Sequence, residues 1–348
     1  MNEIVSRRVL VFTQPSVVEV RPEPLSAPGP GEVLVRTLFS AISAGTELMI
    51  YRGLAPAAMP ADASLPSLSG TLAFPLKYGY ACVGRIVGIG PGVDPSLRDT
   101  PVFAFQPHQT HFVAPVAETV PLPDGLPLER AVLIPSAETA VNLVHDGRPL
   151  AGERVVVFGQ GVVGLLTTAL LAAMPLETLV TLDRHARRRQ ASLALGAHVS
   201  LDPDAADTTS RLTQALADPS HPGADIAFEV SGDPAVLDQA LRATGFDGRI
   251  IIGSWYGAKR AALDLGGEFH RSRIRLVSSQ VSTLAPELRG RWTQRRRLAY
   301  ALSFLQEIEG EGLISHRVPF EDAGSAYRLL DEHSEQTVQV LLSYPESD

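Results

Sequence analysis

Cysteine is almost absent from this chain: Cys82 is the single one among 348 residues. No intrachain disulfide can form, and a reducing compartment, the cytoplasm, is expected. An excess of basic residues is missing too. Asp and Glu total 38 against 30 Lys and Arg, a formal net charge of −8, which argues against a broad surface for nucleic acid or anionic membranes. No apolar run reaches the ~20 residues of a membrane-spanning helix. The opening Met1-Asn-Glu-Ile-Val5 lacks the basic and apolar regions of a signal peptide. What remains is a chain long enough for two domains with substantial cores, with neither nucleic acid nor membrane expected as a partner.

Against these absences one stretch stands out. Arg154-Val-Val-Val-Phe-Gly-Gln-Gly-Val-Val-Gly164 reads as a buried strand, a tight glycine turn and a helix start. An apolar helical run follows, and the next strand, Leu179–Leu182, ends at Asp183, a carboxylate about twenty residues on. Gly159 permits a sharp turn, Gly161 permits close approach to a pyrophosphate, and Gly164 permits tight helix–strand packing. Val162 and Val163 open the helix, whose N-terminus offers free N–H groups and a positive dipole end to phosphates. A dinucleotide cofactor is therefore expected on Gly159, Gly161, Val162, Val163, Gly164 and Asp183.

The organisation changes near residue 136. Before it, Arg7–Phe12, Val33–Ser40, Cys82–Ile89, Val102–Phe105 and Thr110–Pro115 are short strand-like runs separated by Gly and Pro. Gly53–Pro75 has no clear period, and two readings stand, an active-site rim or a disordered segment. After residue 136 helices and strands alternate. Ala137–His145 is helical, with Asp146-Gly147 as its C-cap. Strands follow at Val155–Phe158, Leu179–Leu182, His198–Leu201, Ile226–Val230 and Arg249–Ile252, with helices at Val162–Ala173, Ala186–Leu195, Thr209–Leu216 and Pro234–Ala243. That alternation predicts an α/β fold with a doubly wound parallel sheet, completed by a sixth strand at Ile274–Ser279. The tail, helical at Trp292–Gln306 and Asp322–Asp331 with a strand at Thr337–Leu342, is expected to return to the first domain. The expected division is 1–136, 137–282 and a returning 283–348.

Pro28-Gly-Pro-Gly-Glu-Val-Leu-Val35, Gly45-Thr-Glu47, Lys77-Tyr-Gly-Tyr80, Gly84–Gly92 and Pro121-Leu-Pro-Asp-Gly125 together resemble the medium-chain dehydrogenase/reductase superfamily, the alcohol dehydrogenase group, along nearly the whole chain. The resemblance implies a GroES-like, β-rich catalytic domain plus a Rossmann domain. Similar segments also occur in bacteriochlorophyllide dehydrogenases and in sugar- or polyol-modifying reductases.

The departures from that family are informative. Zinc-dependent members place Cys, then His-Glu, then a later Cys or Glu around the metal. Here Ala44 stands at the first position, Tyr80 and Ala81 stand for His-Glu, and Ile134-Pro-Ser-Ala-Glu-Thr139 offers no cysteine near the third. The family's four-cysteine structural lobe is impossible with one Cys. Zinc needs three or four well-placed ligands, so the resemblance is to a zinc-independent bacterial branch, with no zinc expected.

Hydroxyl and imidazole groups are the substitutes for zinc in polarising a carbonyl and moving its proton. By resemblance, Thr46 carries the hydroxyl that meets the substrate oxygen. Tyr80, at a former ligand position, is either a catalytic phenol or an aromatic filler. Glu47 is a base or a structural carboxylate. Glu138 is a site residue or a helix-start carboxylate. His108 orients substrate or is a hydrogen-bonded surface histidine; with His111 three residues on, it lacks the company of a metal site. The expected catalytic set is Thr46, Tyr80, His108 and Glu138.

Asp183 would accept hydrogen bonds from an adenosine ribose and repel a 2′-phosphate, which favours NAD. Arg184 and Arg188 could hold that phosphate, so NADP stays open. Ser231, Gly253 and Ser254 lie at later strand ends, and the resemblance puts Gly253 and Ser254 beside the nicotinamide amide with Thr139 on the ring's other side. The expected activity is hydride transfer between NAD(P) and a small-molecule alcohol–carbonyl pair. The alternatives are reduction of an activated C=C bond, or a non-catalytic dinucleotide-binding redox sensor. A homodimer is expected, because family members pair the strand corresponding to Ile274–Ser279 across a two-fold axis.

Overall fold

The computed structural model describes residues 5–62, 64–308 and 312–345. They divide into two compact units, residues 1–135 with 314–348, and residues 136–313. The expected return at 283 is thus corrected: 283–313 stays with the second unit, and only the chain from Ile314 returns. The reason is visible in its packing, since the helix within that stretch carries Arg297, 1% exposed, which is tied to groups of the second unit alone. The opening residues Met1–Ile4, used above to exclude a leader, lie outside the described residues.

The first unit begins with the antiparallel pair β1 (Val5–Gln14) and β2 (Val17–Leu25). The second strand was not anticipated, because Pro22 and Pro24 interrupt it; each lacks an N–H, which only a sheet edge tolerates. Next come β3 (Glu32–Ala41), helix α1 (Thr46–Tyr51), β4 (Cys82–Ile89), β5 (Pro101–Ala104), β6 (His111–Pro115), β7 (Thr119–Pro121) and the short α2 (Leu128–Ala131). Gly53–Pro75 has no helix or strand, yet it is packed rather than disordered. Leu68 and Leu72 are buried, Ala61 N bonds to Gly70 O at 3.0 Å, and Leu72 N bonds to Met59 O at 3.0 Å. Ala63 within it lies outside the described residues.

The second unit is alternating. Helix α3 (Ile134–Gly147) leads to β8 (Arg154–Phe158), α4 (Val162–Ala172), β9 (Thr178–Leu182), α5 (Ala186–Ala194), β10 (Val199–Leu201), α6 (Thr208–Ala215), β11 (Ala224–Glu229), α7 (Val236–Ala243), β12 (Thr244–Ile252), α8 (Glu268–Arg271), β13 (Arg275–Ser278) and α9 (Gln294–Glu307). The chain then gives the first unit β14 (Ile314–Pro319), α10 (Ala323–Glu332) and β15 (Gln339–Ser343). In that unit the order is β14-β15-β3-β4-β5-β7, with β6 also on β3.

The six strands of the second unit are all parallel, in the order β10-β9-β8-β11-β12-β13. That is the dinucleotide-binding order, which reverses between β8 and β11. The buried run Val155–Phe158 suits a strand covered on both faces. Helix α4 buries Leu165, Leu166, Leu170 and Leu171, each worth roughly 1.5–3 kcal/mol. Its hydroxyls are satisfied locally: Thr167 donates to Val163 O at 2.8 Å and Thr168 to Gln160 Oε1 at 3.0 Å. The C-cap expectation is corrected by one residue. Arg148 takes the left-handed turn (φ 49°), while Gly147 stays helical. A Cβ on Gly147 would lie 2.7 Å from the Phe228 ring, so its role is close helix–sheet packing. Among the described residues no helix is long and apolar enough to cross a membrane.

Candidate functional site

The carboxyl ends of β8 and β11 lie where the strand order reverses, the place at which parallel sheets of this kind take their ligands. Gly159 turns there with φ +94°, and a Cβ on it would lie 2.6 Å from Ser231 Cα. Gly164 could carry no Cβ either, since the atom would sit 2.0 Å from Gly159 O. Gly161 differs. Nothing lies within 4 Å of its would-be Cβ, and it begins α4 with no side-chain cap. Val162 and Val163 supply the first-turn N–H groups of α4, which no side chain of the N-cap satisfies, as an anion-binding helix start requires.

Asp183 closes β9 and is 8% exposed. Its Oδ2 accepts from Gln160 N and its Oδ1 from His185 N, each at 2.8 Å. The carboxylate is thereby fixed to the glycine turn, with lone pairs to spare for ribose hydroxyls. Arg188 Nη1 lies 3.9 Å from Oδ2. Burial pushes the Arg188 guanidinium below its ordinary range, and Asp183 partly restores it. Arg184 is exposed.

Ser231 and Gly253 converge on a residue that the sequence did not single out. Glu229, fully buried, ends β11. Its Oε1 accepts from Ser231 N at 2.8 Å and from Ser231 Oγ at 2.5 Å. Its Oε2 accepts from the Tyr256 hydroxyl, and burial, then Glu229, pushes that phenol well above its ordinary range. Gly253 N donates to Glu229 O and Gly232 N to Ser254 Oγ, both at 2.9 Å. The available signal was a carboxylate directly after the apolar run Ile226-Ala-Phe228 at the end of the strand.

Thr139 is half-buried on α3. Its neighbour Glu138 is corrected. Arg297 donates to Glu138 Oε1 from Nε at 3.1 Å and from Nη2 at 3.0 Å, and reaches Asn142 Oδ1 at 2.5 Å and Thr283 O at 3.0 Å. Burial raises the Glu138 carboxyl and Arg297 lowers it again. The carboxylate is held in an internal ion pair, so it is neither a free proton donor nor a helix-dipole carboxylate.

In the first unit, Thr46 opens α1 and is half-buried. The Tyr80 hydroxyl donates to Ser43 Oγ at 2.5 Å and has Thr46 as a second hydrogen-bonding neighbour. Burial raises the phenol, and the Ser43 bond draws it part way back. Ser43 was not anticipated. Three hydroxyls, of Ser43, Thr46 and Tyr80, thus meet in the first unit.

His108 is corrected in both of its readings, for it faces neither a pocket nor the surface. It is fully buried, with Nδ1 at 2.7 Å from Ser40 Oγ and Nε2 at 2.9 Å from Glu47 Oε2. Glu47, also fully buried, accepts from Ser43 N at 2.8 Å and from the Tyr327 hydroxyl, which makes it a structural carboxylate. His111 bonds instead to Thr110 Oγ1 at 3.2 Å. Zinc does not fit the residues present. Ala44 and Ala81 carry no donor atom, Tyr80 is held protonated, and Glu138 is committed to Arg297. Among the described residues no three His, Cys, Asp or Glu side chains gather as a ligand set.

Comparison with known proteins places this geometry. Residues 162–298 match the family profile of zinc-binding dehydrogenases. The (R,R)-butanediol dehydrogenase of Bacillus subtilis (strain 168) is 28% identical over 272 residues, 70% of this chain and 74% of the relative. The D-guloside 3-dehydrogenase of Escherichia coli (strain K12) is 24% identical over 332 residues, 90% of this chain and 93% of the relative. A crystal structure described as a short chain alcohol dehydrogenase from Escherichia coli CFT073, complexed with cofactor NADH, shares the fold with a TM-score of 0.78 at 17% identity, over 97% of this chain and 99% of the other. The strand order, the glycine turn and these likenesses agree: the fold is that of the alcohol dehydrogenases it resembles, and the similarity to named dehydrogenases makes the chain an alcohol-dehydrogenase-like oxidoreductase.

Proposed function

We propose that this protein moves a hydride between NAD(H) and a secondary alcohol or its carbonyl partner, with hydroxyl groups in place of zinc at the substrate oxygen. The observation that carries the reading is the hydroxyl cluster Tyr80–Ser43–Thr46 at positions where the family's ligands are replaced by Tyr80, Ala44 and Ala81. The profile match spans 162–298 and so includes none of positions 44, 80 and 81.

The bound nicotinamide supplies the hydride acceptor or donor. The chain holds the cofactor through the first turn of α4 and through Asp183, whose carboxylate suits ribose hydroxyls and opposes a 2′-phosphate. With substrate bound, the Tyr80 hydroxyl, which otherwise donates to Ser43 Oγ, would turn its proton to the substrate oxygen, with Thr46 as the second donor. Donors aimed at developing charge are worth about a hundredfold in rate each. The substrate class is drawn from the relatives, named for a diol and a guloside.

The test is turnover. A panel of diols, sugar alcohols and their ketones is assayed with NAD+ or NADH, before and after exhaustive chelation, alongside elemental analysis of protein purified without a metal-chelating tag. Activity that survives chelation and falls about a hundredfold in Tyr80→Phe and Thr46→Val, with NADH affinity retained, supports the reading. A zinc ion required for turnover overturns it, and reduction of enones but not of carbonyls replaces it with C=C reduction.

The assembly proposed is a homodimer paired along β13, whose Leu276 and Val277 are only partly buried at the sheet edge. Light scattering that shows monomer alone would remove it. The single, buried Cys82 suits the cytoplasm, where we place the protein.

A further inference from the structure

We infer that His108 is a positioning residue, the centre of a buried brace that sets the hydrogen bond between Tyr80 and Ser43; the inference rests on the reading of Tyr80 as the group that handles the substrate proton.

One imidazole touches both segments that carry this bond. On one side lies the backbone just before Tyr80. Gly79 has φ +115°, and a Cβ there would sit 2.7 Å from His108 Cδ2, so only glycine lets the ring close on that segment. His108 N also donates to Tyr78 O at 3.3 Å. On the other side, Nε2 meets Glu47 Oε2 at 2.9 Å, and Glu47 Oε1 accepts from Ser43 N at 2.8 Å. Ser43 Oγ in turn accepts from Tyr80 at 2.5 Å. The chain of contacts therefore closes: Tyr80, Ser43, Glu47, His108, Gly79 and back to Tyr80.

The polar groups of the brace satisfy one another. The Glu47 carboxylate accepts from Ser43 N–H, from the Tyr327 hydroxyl and from His108, which puts the ring proton on Nε2. Nδ1 then accepts from Ser40 Oγ at 2.7 Å, and Ser40 accepts from the Tyr344 hydroxyl at 2.8 Å. Ser40, Glu47, His108 and Tyr327 are all fully buried. Filling this space alone would need only apolar side chains, which avoid the desolvation of a carboxylate. A fully satisfied network instead fixes one geometry, and here that geometry ends on the Tyr80 hydroxyl.

The experiment needs no substrate. The protein is labelled with 3-fluorotyrosine, and the Tyr80 resonance among its seven tyrosines is assigned by its loss in Tyr80→Phe. Ser43→Ala shows how far the resonance moves when its acceptor is gone. His108→Ala is expected to shift the Tyr80 signal in the same direction, and His108→Gln, which can still donate to Glu47 and accept from Ser40, to bring it back towards the parent position. Tyr327→Phe, which removes one hydroxyl from the same Glu47 oxygen, decides the matter should His108→Ala fail to fold. A Tyr80 resonance at the parent position in a folded His108→Ala, or in Tyr327→Phe when that variant decides, overturns the inference. Turnover of Tyr80→Phe tests the underlying reading separately. If it matches the parent, the chemistry assigned to Tyr80 is wrong, while the resonance still reports whether the brace exists.

Discussion

Arg297 sets two N–H donors, Nε at 3.1 Å and Nη2 at 3.0 Å, on a single oxygen of Glu138. The same guanidinium bonds Asn142 and the carbonyls of Val281 and Thr283. One buried cation therefore ties α9 and the chain after β13 to α3, next to Thr139. This internal role explains why α9 stays with the second unit.

Removing one partner of a buried ion pair leaves the other uncompensated, which costs about 3–5 kcal/mol. Arg297→Met is expected to lower the unfolding temperature of the second unit sharply. Arg297→Met combined with Glu138→Leu should recover a good part of the loss, because no charge is then left buried. Thermal denaturation of the three variants checks this. A double variant as unstable as the single one would mean that the contacts of Arg297 to backbone carbonyls, and not the pair, carry the stability.

The glycine turn makes a paired prediction. Gly164→Ala is expected to unfold or badly distort the second unit, since its Cβ would lie 2.0 Å from Gly159 O. Gly161→Ala meets nothing within 4 Å, so its melting temperature should stay near the parent's. On the reading of Gly161 as the close-approach glycine, its methyl would obstruct a pyrophosphate, so NADH affinity should fall. Calorimetric titration beside a melting curve separates the two effects.

For the cofactor, nicotinamide fluorescence titration should show tighter NADH than NADPH binding. Asp183→Ser removes the carboxylate that would accept from the ribose and that lies 3.9 Å from Arg188. Hydrogen bonds to a charged group are worth about 1.5–3 kcal/mol, so NADH affinity should drop roughly tenfold or more, while NADPH affinity falls less or rises. A parent that prefers NADPH would show that the arginines dominate.

His145 gives a pH dependence. Burial, then the charges of Arg297, Arg296 and Arg291, holds its imidazole down to about 4, from an ordinary value of 6.5. Its ring packs on Trp292 with centroids 4.2 Å apart. Between those two pH values the unfolded chain binds the proton and the folded chain does not, so stability falls as pH drops through that window. His145→Gln has no such proton to bind. Its melting temperature should decline less steeply than the parent's from pH 6.5 to 4.5, and parallel curves would show that His145 does not contribute.

Much of the second unit could be read from residues in order. Strands β8 to β13 and helices α4 to α7 follow from apolar runs and glycines, because each βα element is a local pattern of fixed period, whereas the one-turn α8 is too short to show one. The sharp turn at Gly159 and the close packing at Gly164 were legible for the same reason, as a backbone turn is specified by adjacent residues. Strand β2 was hidden by its prolines, whose tolerance depends on having an open edge. Glu138, His108 and Glu229 needed the tertiary structure. A carboxylate or imidazole looks alike in sequence whether it meets substrate or a buried partner, and the partners here lie far along the chain: Arg297 for Glu138, Glu47 for His108, Tyr256 for Glu229. The sequence alone determined the class of fold and the glycine turn. Only the folded chain decided which polar side chains spend their hydrogen bonds inward, because burial and long-range pairing are properties of packing and not of sequence neighbourhood.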